Sequence, residues 1–532
     1  MDYRDKYAAY LPPQSGNRFA NEREIRKNYT YLDLEKKQLE TSGIPIISNG
    51  STAYVDGSEA HTGIFGSSGS GKTRCFIMPL LKQMVRAGES FVVMDPKGEL
   101  AKTMQPDCRS YGYQIRDINL RDFSGHGYNP LAYPYELYCK GEEDKAVQGL
   151  NDLVHALAKS QESKSDPFWT FAASMELLGI FLVLFTFADK EEINIASALH
   201  LSHEECYRVL RDITREYFPA NTIAGANLRS VLGAPERTRQ SIQVSLGAML
   251  QPFSSNQALV NMLSDSSGNA INLSDLGRKK TAIFINTADE STTYHFLATI
   301  FVQQLYQRLI EEAQTKRSGC LPIRFNFVLD EFGNMPQINN FSSAISAARS
   351  RNIRYYLVIQ SKHQLNDKYG DNDAQTIIAN LLNIVFLNSR ELPLLQEIES
   401  LCGKDFNGVP LISVSQLQRL RKENKKYETL FLLGRHYPFV STLPDISMYP
   451  GFKNSTEEEY EPIRIKHRRA QIFDSLSPMV VLERKEKEVE KADAIQYNKK
   501  NINEEDDFEI SDVQCELEKK FDELFGPLDD EE

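Results

Sequence analysis

At 532 residues with 41% hydrophobic content, the chain is long enough for two or three domains that each bury a core, and a wholly disordered polymer is excluded. The formal net charge of −12 is not spread evenly: residues 504–532 hold fourteen acidic and two basic side chains, so the remainder is balanced and the excess belongs to an acidic tail. Seven cysteines lie far apart with no C-x-x-C pair, which argues against a zinc knuckle or a disulfide framework and fits a reducing compartment.

The chain opens with MDYRDKYAAYLPPQ, charged and polar, without the apolar stretch of a signal peptide. Residues 1–43 read as an N-terminal extension wrapped onto the body. Strand and helix signals then alternate. His61–Phe65 is a short apolar run ending at a glycine loop, Lys72–Arg86 has helical spacing and stops at Gly88, and Phe91–Met94 is a second buried strand followed by DPKGEL. This order predicts an α/β fold with a mainly parallel sheet.

Strand signals fade from about Glu142 to Phe253, where apolar residues recur at three- and four-residue spacing. An all-α domain, 142–263, is expected to interrupt a sheet domain made of 44–141 and 264–462. Its most apolar run, Leu177–Ala188, is about twelve residues against the roughly 20 that span a bilayer, so a buried helix is expected there. Alternation resumes with TAIFIN (281–286), a long helix near 292–314, FNFVLDE (325–331), IRYYLVIQ (353–360), NIVFLN (383–388) and ETLFLLG (428–434). A charged helical linker, 463–503, carries the basic run RIKHRR (464–469) and a helix near 483–500. The acidic tail, 504–532, is too poor in apolar residues to pack a core and reads as disordered. Within it Leu517, Phe521, Leu524 and Phe525 share one helical face suited to a partner's groove.

The string Gly66-Ser67-Ser68-Gly69-Ser70-Gly71-Lys72-Thr73 fits G-x-x-x-x-G-K-[ST] and sits between a predicted strand and a predicted helix. Glycines let the backbone wind so that N–H groups face a nucleotide's phosphates, and the helix N-terminus adds partial positive charge. Lys72 is expected on the β- and γ-phosphates of ATP and the Thr73 hydroxyl on Mg²⁺. The apolar run Phe325–Leu329 delivers Asp330, expected in the Mg²⁺ shell, and Glu331, expected to polarise the attacking water. Arg349 reads either as a finger reaching a neighbouring subunit's γ-phosphate or as an ordinary exposed arginine. Gln360, at a strand end, reads either as a γ-phosphate sensor or as a polar terminus. Asp95 and Lys97 are candidate phosphate- or metal-shell groups, against a plain turn made by Pro96 and Gly98. Arg419, Arg421, Lys422, Lys425 and Lys426 read as a solvated helical face or as phosphate contacts to nucleic acid.

Together with His61 ahead of the glycine loop, the strings FVVMDPKGEL, YNPL (128–131), DPFW (166–169), ERTRQS (236–241), FVLDEFGNMP (327–336), ARSRNI (348–353) and IQSKHQL (359–365) resemble the type IV secretion coupling proteins of the TraG/TraD class over most of residues 18–450. The resemblance implies a RecA-like P-loop NTPase domain plus an all-α domain, assembled as a homo-hexameric ring with ATP between neighbours and DNA along its axis. It implies recruitment of relaxase-bound single-stranded DNA, and some protein substrates, to a secretion channel at the inner face of the bacterial cytoplasmic membrane. It also raises Arg349 as the finger and Gln360 as the sensor. Members commonly begin with transmembrane helices, whereas this chain starts where such an anchor would end, which implies a separate membrane partner or a removed anchor. Competing readings are a double-stranded DNA pump of the FtsK or HerA type, and a substrate receptor in which nucleotide controls assembly only. On charge grounds the tail is expected to bind a basic relaxosome or channel protein rather than DNA.

Overall fold

Seven runs of five to seven residues, each bordered by turn-forming residues, pair side by side as a parallel sheet in the computed structural model, which describes residues 16–159, 167–265, 268–288, 292–452 and 461–473. The strands in chain order are β1 (Thr30–Asp33), β2 (Ile44–Ser48), β3 (Thr52–Asp56), β4 (Thr62–Gly66), β5 (Ser90–Met94), β6 (Gln114–Asn119), β7 (Thr281–Asn286), β8 (Phe325–Leu329), β9 (Ile353–Ile359), β10 (Asn383–Asn388), β11 (Lys422–Glu423), β12 (Lys426–Leu433) and β13 (Phe439–Pro444). Parallel pairing runs in the order β10-β4-β9-β8-β5-β7-β6. Antiparallel β12, flanked by β11 and β13, extends the β10 edge. A separate antiparallel sheet, β1-β3-β2, lies N-terminal to it.

A parallel sheet is buried on both faces, so its central strands are apolar almost throughout. Alternate residues serve opposite cores. Val92, Met94, Tyr355 and Leu357 face the core shared with the helical segment. Phe91, Val93, Tyr356 and Val358 face a second core built with the helices Met78–Ala87 and Glu99–Ser110.

Every regular element described between β6 and β7 is helical, beginning at Ala132–Cys139, ten residues ahead of the expected boundary at 142. The apolar run at Leu177 belongs to a longer helix, Pro167–Phe187, of 21 residues. By length and composition it reaches what a bilayer crossing needs, a correction to the twelve-residue reading, because Ser174 and Glu176 interrupt the apolar run but not the helix. Its position accounts for its apolarity: 72% of its most apolar window is buried, with Leu177, Ile180, Phe181 and Leu184 in the core and Gly179 backed directly onto Leu228. YNPL locks the entry to this segment. Tyr128 donates to Gln304 Oε1 (2.6 Å), Gln304 Nε2 donates to the Pro130 carbonyl (2.9 Å), and Asn129 Nδ2 donates to the Ile193 carbonyl (2.7 Å). The helix His295–Gln314, which carries Gln304, joins β7 toward β8 and so ties insert to sheet.

A buried polar cluster sits at the edge where the parallel strands begin. Arg354, fully buried on β9, donates to Glu89 Oε2 (2.6 Å), Asn326 Oδ1 (2.8 Å) and the Ser42 carbonyl (3.0 Å), while Glu89 also accepts from the Ser42 amide and hydroxyl. Ser42 leads into β2, so this one arginine joins the small sheet to the large one. The expected linker helices are outside the described residues beyond 473, as is the acidic tail with its Leu517–Phe525 face. Residues 461–473 are described and hold neither helix nor strand.

Replacing Arg354 by Met should leave the buried Glu89 carboxylate with only the longer contact to Arg324 (3.6 Å) and cost up to about 3–5 kcal/mol of unfolding free energy. Denaturant titration would show it, and Glu89→Gln in the same chain should recover part of the loss.

Candidate nucleotide-binding site

The C-terminal ends of β4, β9, β8 and β5 lie in a row at one edge of the sheet, because all four run parallel. Each end delivers a group expected from the sequence. β4 runs into the glycine loop, β9 ends before Gln360, β8 before Asp330-Glu331, and β5 before Asp95. Ser68, Gly69, Gly71, Lys72, Thr73, Asp330, Glu331 and Gln360 line one cavity together with Asp95, Lys97, Lys422 and Tyr427.

The loop's path explains its composition. Gly69 and Gly71 have φ of +73° and +101°, which disfavours any side chain. A Cβ on Gly71 would fall 2.2 Å from the Tyr427 ring. Ser67 N–H donates to the Asn388 carbonyl at the end of β10, anchoring the loop to the neighbouring strand (2.9 Å). Lys72 folds back and donates to the Gly66 and Ser67 carbonyls (2.6 and 2.8 Å). Burial pulls its pKa down, against the opposing pull of Asp330 and Glu331. An amine so placed gains from a phosphate that replaces neutral carbonyls with charge. From Thr73 the chain winds a single π turn, Thr73–Ile77, before the α-helix Met78–Ala87.

Burial pushes the Asp330 carboxyl up to about 6, with Lys72 opposing and Glu331 adding to the rise. Glu331 holds φ +54°, an uncommon conformation for a non-glycine residue. Its Oε1 accepts from Gln360 Nε2 and its Oε2 from Asn334 Nδ2, both at 3.3 Å. The strand β9, between the loop strand and the carboxylate strand, thereby sets the Glu331 side chain through Gln360. Asp95 is buried and accepts from the Ala101 N–H (2.8 Å), capping the helix Glu99–Ser110. It thus serves as a structural cap while also lining the cavity.

The donor set suits Mg²⁺. A Thr73 hydroxyl and the Asp330 carboxylate are hard oxygen ligands, and few protein ligands are needed where phosphates and water complete the shell. Among the described residues no group of three or more His, Cys, Asp and Glu offers an all-protein metal site.

Arg349 is not in this cavity. It is exposed in a 3₁₀ turn, Arg349–Arg351, just before β9 begins, at the opposite edge of the sheet. There His61 accepts the Tyr355 N–H at Nδ1 (3.1 Å) and donates from Nε2 to the Ile345 carbonyl (2.9 Å), pinning the start of β4 to the helix that ends beside Arg349.

The basic cluster at 419–426 is not a helical face. Asn424 and Lys425 take φ of +52° and +59° and turn the chain between β11 and β12, so the cluster lies on a hairpin. That hairpin supplies two site residues not anticipated as such. Lys422 donates to the Gly69 carbonyl (2.9 Å), and Tyr427 packs on Gly71. After β13, Asp445 takes a bidentate contact from Arg74 in the loop's own helix (2.6 and 2.7 Å) and accepts from the Tyr427 hydroxyl (3.3 Å). Burial pushes the Asp445 carboxyl up, but Arg74 and the Ser447 amide outweigh it and hold the group well below the usual range. Lys422 was visible only as one basic residue among five, and no periodicity marks Tyr427 or Asp445.

A family model described as "Type IV secretory system Conjugative DNA transfer" matches residues 18–430. The chain belongs to this family. Among curated proteins no sequence matches it. Solved structures of the plasmid coupling protein TrwB share the fold. One in complex with the ATP analogue ADPNP aligns with a TM-score of 0.59 and 13% identity over 85% of this chain and 97% of that one. Another, with ADP and Mg²⁺, gives 0.59 and 12% over 86% and 98%. The fold is therefore that of a RecA-like P-loop coupling protein, and its role lies in type IV secretion and conjugative DNA transfer.

Gly71→Ala should lose binding of a fluorescent ATP analogue at least about tenfold, since strain of this kind costs roughly 1–2 kcal/mol before the Tyr427 clash is counted. Adding Tyr427→Ala should recover only the part due to the clash. Asp330 makes a pH prediction for the nucleotide-free protein. Above about pH 6 the carboxylate is ionised in both folded and unfolded chains, and the fold bears its burial cost. As pH falls from about 6 toward 4, the folded chain takes up the proton first and that cost fades. Asp330→Asn should thus stabilise the protein at pH 8 by on the order of 2–3 kcal/mol, and the gain should vanish near pH 4 in thermal melts.

Proposed function

We propose that this coupling protein binds ATP with Mg²⁺, hydrolyses it, and uses the cycle to drive relaxase-bound single-stranded DNA, with attached protein, into a type IV secretion channel. The observation that carries this reading is the convergence of Lys72, Thr73, Asp330, Glu331 and Gln360 on one cavity. Lys72 leaves its loop carbonyls to hold the β- and γ-phosphates, while Gly66–Gly71 wrap them with backbone N–H groups. Thr73 and Asp330 hold Mg²⁺, which supplies neutralisation of the charge that develops on the phosphates. Glu331, oriented by Gln360 and Asn334, accepts hydrogen bonds from the attacking water and draws off its proton.

Arg349 acts on the site of a neighbouring copy in a homo-hexameric ring, a role supported by its exposure and by its distance from the chain's own glycine loop. Residues 44–131 with 264–452 form the motor, and the helical segment beginning at Ala132 and running to 263 forms the domain that meets substrate. Such a ring works at the inner face of the cytoplasmic membrane, with relaxosome and channel proteins as partners.

Lys72→Ala should abolish DNA-stimulated phosphate release. Glu331→Gln should cut it about 10²–10⁴-fold while keeping ATP binding. Arg349→Ala should cost about 10³-fold or more, yet mixing it with Lys72→Ala chains should restore activity, since each supplies what the other lacks. A mixture as inactive as its parts would remove Arg349 from the neighbour's site. Greater stimulation by double-stranded than by single-stranded DNA would overturn the substrate assignment.

A further inference from the structure

Residues 461–473 cross the surface as an extended strap held at several points along its length. The Arg109 guanidinium donates to the Glu461 carbonyl (3.3 Å) and Ile465 N–H to the Ser124 carbonyl (2.7 Å). His467 Nδ1 meets Asp265 Oδ2 (2.9 Å), with both side chains almost wholly buried. Asn194 Nδ2 donates to the Gln471 carbonyl (2.8 Å), and buried Phe473 donates its N–H to Ser197 Oγ (3.0 Å).

This anchoring sorts the side chains by parity. Ile463, Ile465 and His467 turn inward, whereas Arg464, Lys466 and Arg468 are exposed, with Arg469 beside them. In an extended chain the outward cations stand about 6.6 Å apart. None of the four makes an ion pair with a described residue. Four cations fixed in a row with no ion-pair partner among the described residues repel one another, and the strap's anchors keep them from spreading.

We propose that this cationic row is the docking site of the chain's own acidic tail, residues 504–532. The tail's net charge of −12 complements it, and in the tail Glu505, Asp507 and Glu509 recur with the same two-residue period as Arg464, Lys466 and Arg468. Two chains laid side by side in extended form thus bring carboxylates and cations into register. The thirty residues from 474 to 503 extend to roughly 100 Å, more than enough to return the tail to the strap. The occupied strap withholds both tail and cations: a basic partner must compete for the first, and nucleic acid phosphates for the second. This inference does not depend on ATP hydrolysis.

Carbodiimide coupling of the full-length chain, read by peptide mass spectrometry, tests it, because the reagent joins a lysine amine only to a carboxylate in direct contact. Lys466 is expected to couple to carboxylates of 504–532 in 50 mM salt, within one chain as shown by mixing isotope-labelled and unlabelled protein. In 0.5 M salt, where screening is strong, the yield should fall at least fivefold. The variant R464Q/R468Q/R469Q, which keeps Lys466, should show a similar loss at low salt with an unchanged melting temperature. Coupling of Lys466 to other segments only, such as Glu457–Glu459, or an undiminished yield in the variant, would overturn the proposal. So would a strap whose cations govern single-stranded DNA affinity while forming no product with the tail.

Discussion

The parallel pairing of β9 between β4 and β8 is the constraint on which the rest of the site depends. A chain that leaves one parallel strand must return to the starting edge before it can lay down the next. The path from Asp330-Glu331 at the end of β8 to Gln360 at the end of β9 therefore passes through the far edge, where the helix Phe341–Ala348 and Arg349 lie. Over the seven residues of β9 this separates Arg349 from Gln360 by about 20 Å. The same pairing gathers the cavity-lining carboxylates and Gln360 at one edge and sends the exposed arginine to the other.

The second constraint comes from the antiparallel edge. β12 pairs with β10, the strand whose last carbonyl anchors the glycine loop, and so Lys422, Tyr427 and Asp445 are brought onto that loop from the C-terminal part of the chain. Gly71 is glycine for two reasons that reinforce each other: its φ and the aromatic ring seated against it. The Arg74–Asp445 clamp ties the loop's helix to the same edge, so the cavity at the glycine loop is completed by residues about 350 positions downstream.

Much of the frame was legible from local patterns. Residues 281–286 and 383–388 are strands with the expected bounds, because a parallel core strand is apolar on both faces and leaves a compact signal. Weaker strands escaped notice. β6, QIRDIN, sits at the sheet's edge and alternates with polar residues, and β1, β3 and β13 carry similarly mixed faces. The insert's long helix was shortened by reading only its apolar stretch, since a polar residue such as Glu176 hides inside a bundle by accepting from Gln243.

By itself, the sequence determined where the glycine loop and the carboxylate pair fall, because each is a contiguous pattern of eight residues or fewer set at the end of an apolar strand. Only the tertiary structure decided which other residues join them. The roles of Lys422, Tyr427, Asp445 and Asp95, the far placement of Arg349 and the outward row on the strap arise from strand order, hairpin geometry and anchoring. Those depend on contacts between residues far apart in the chain, which no local period records.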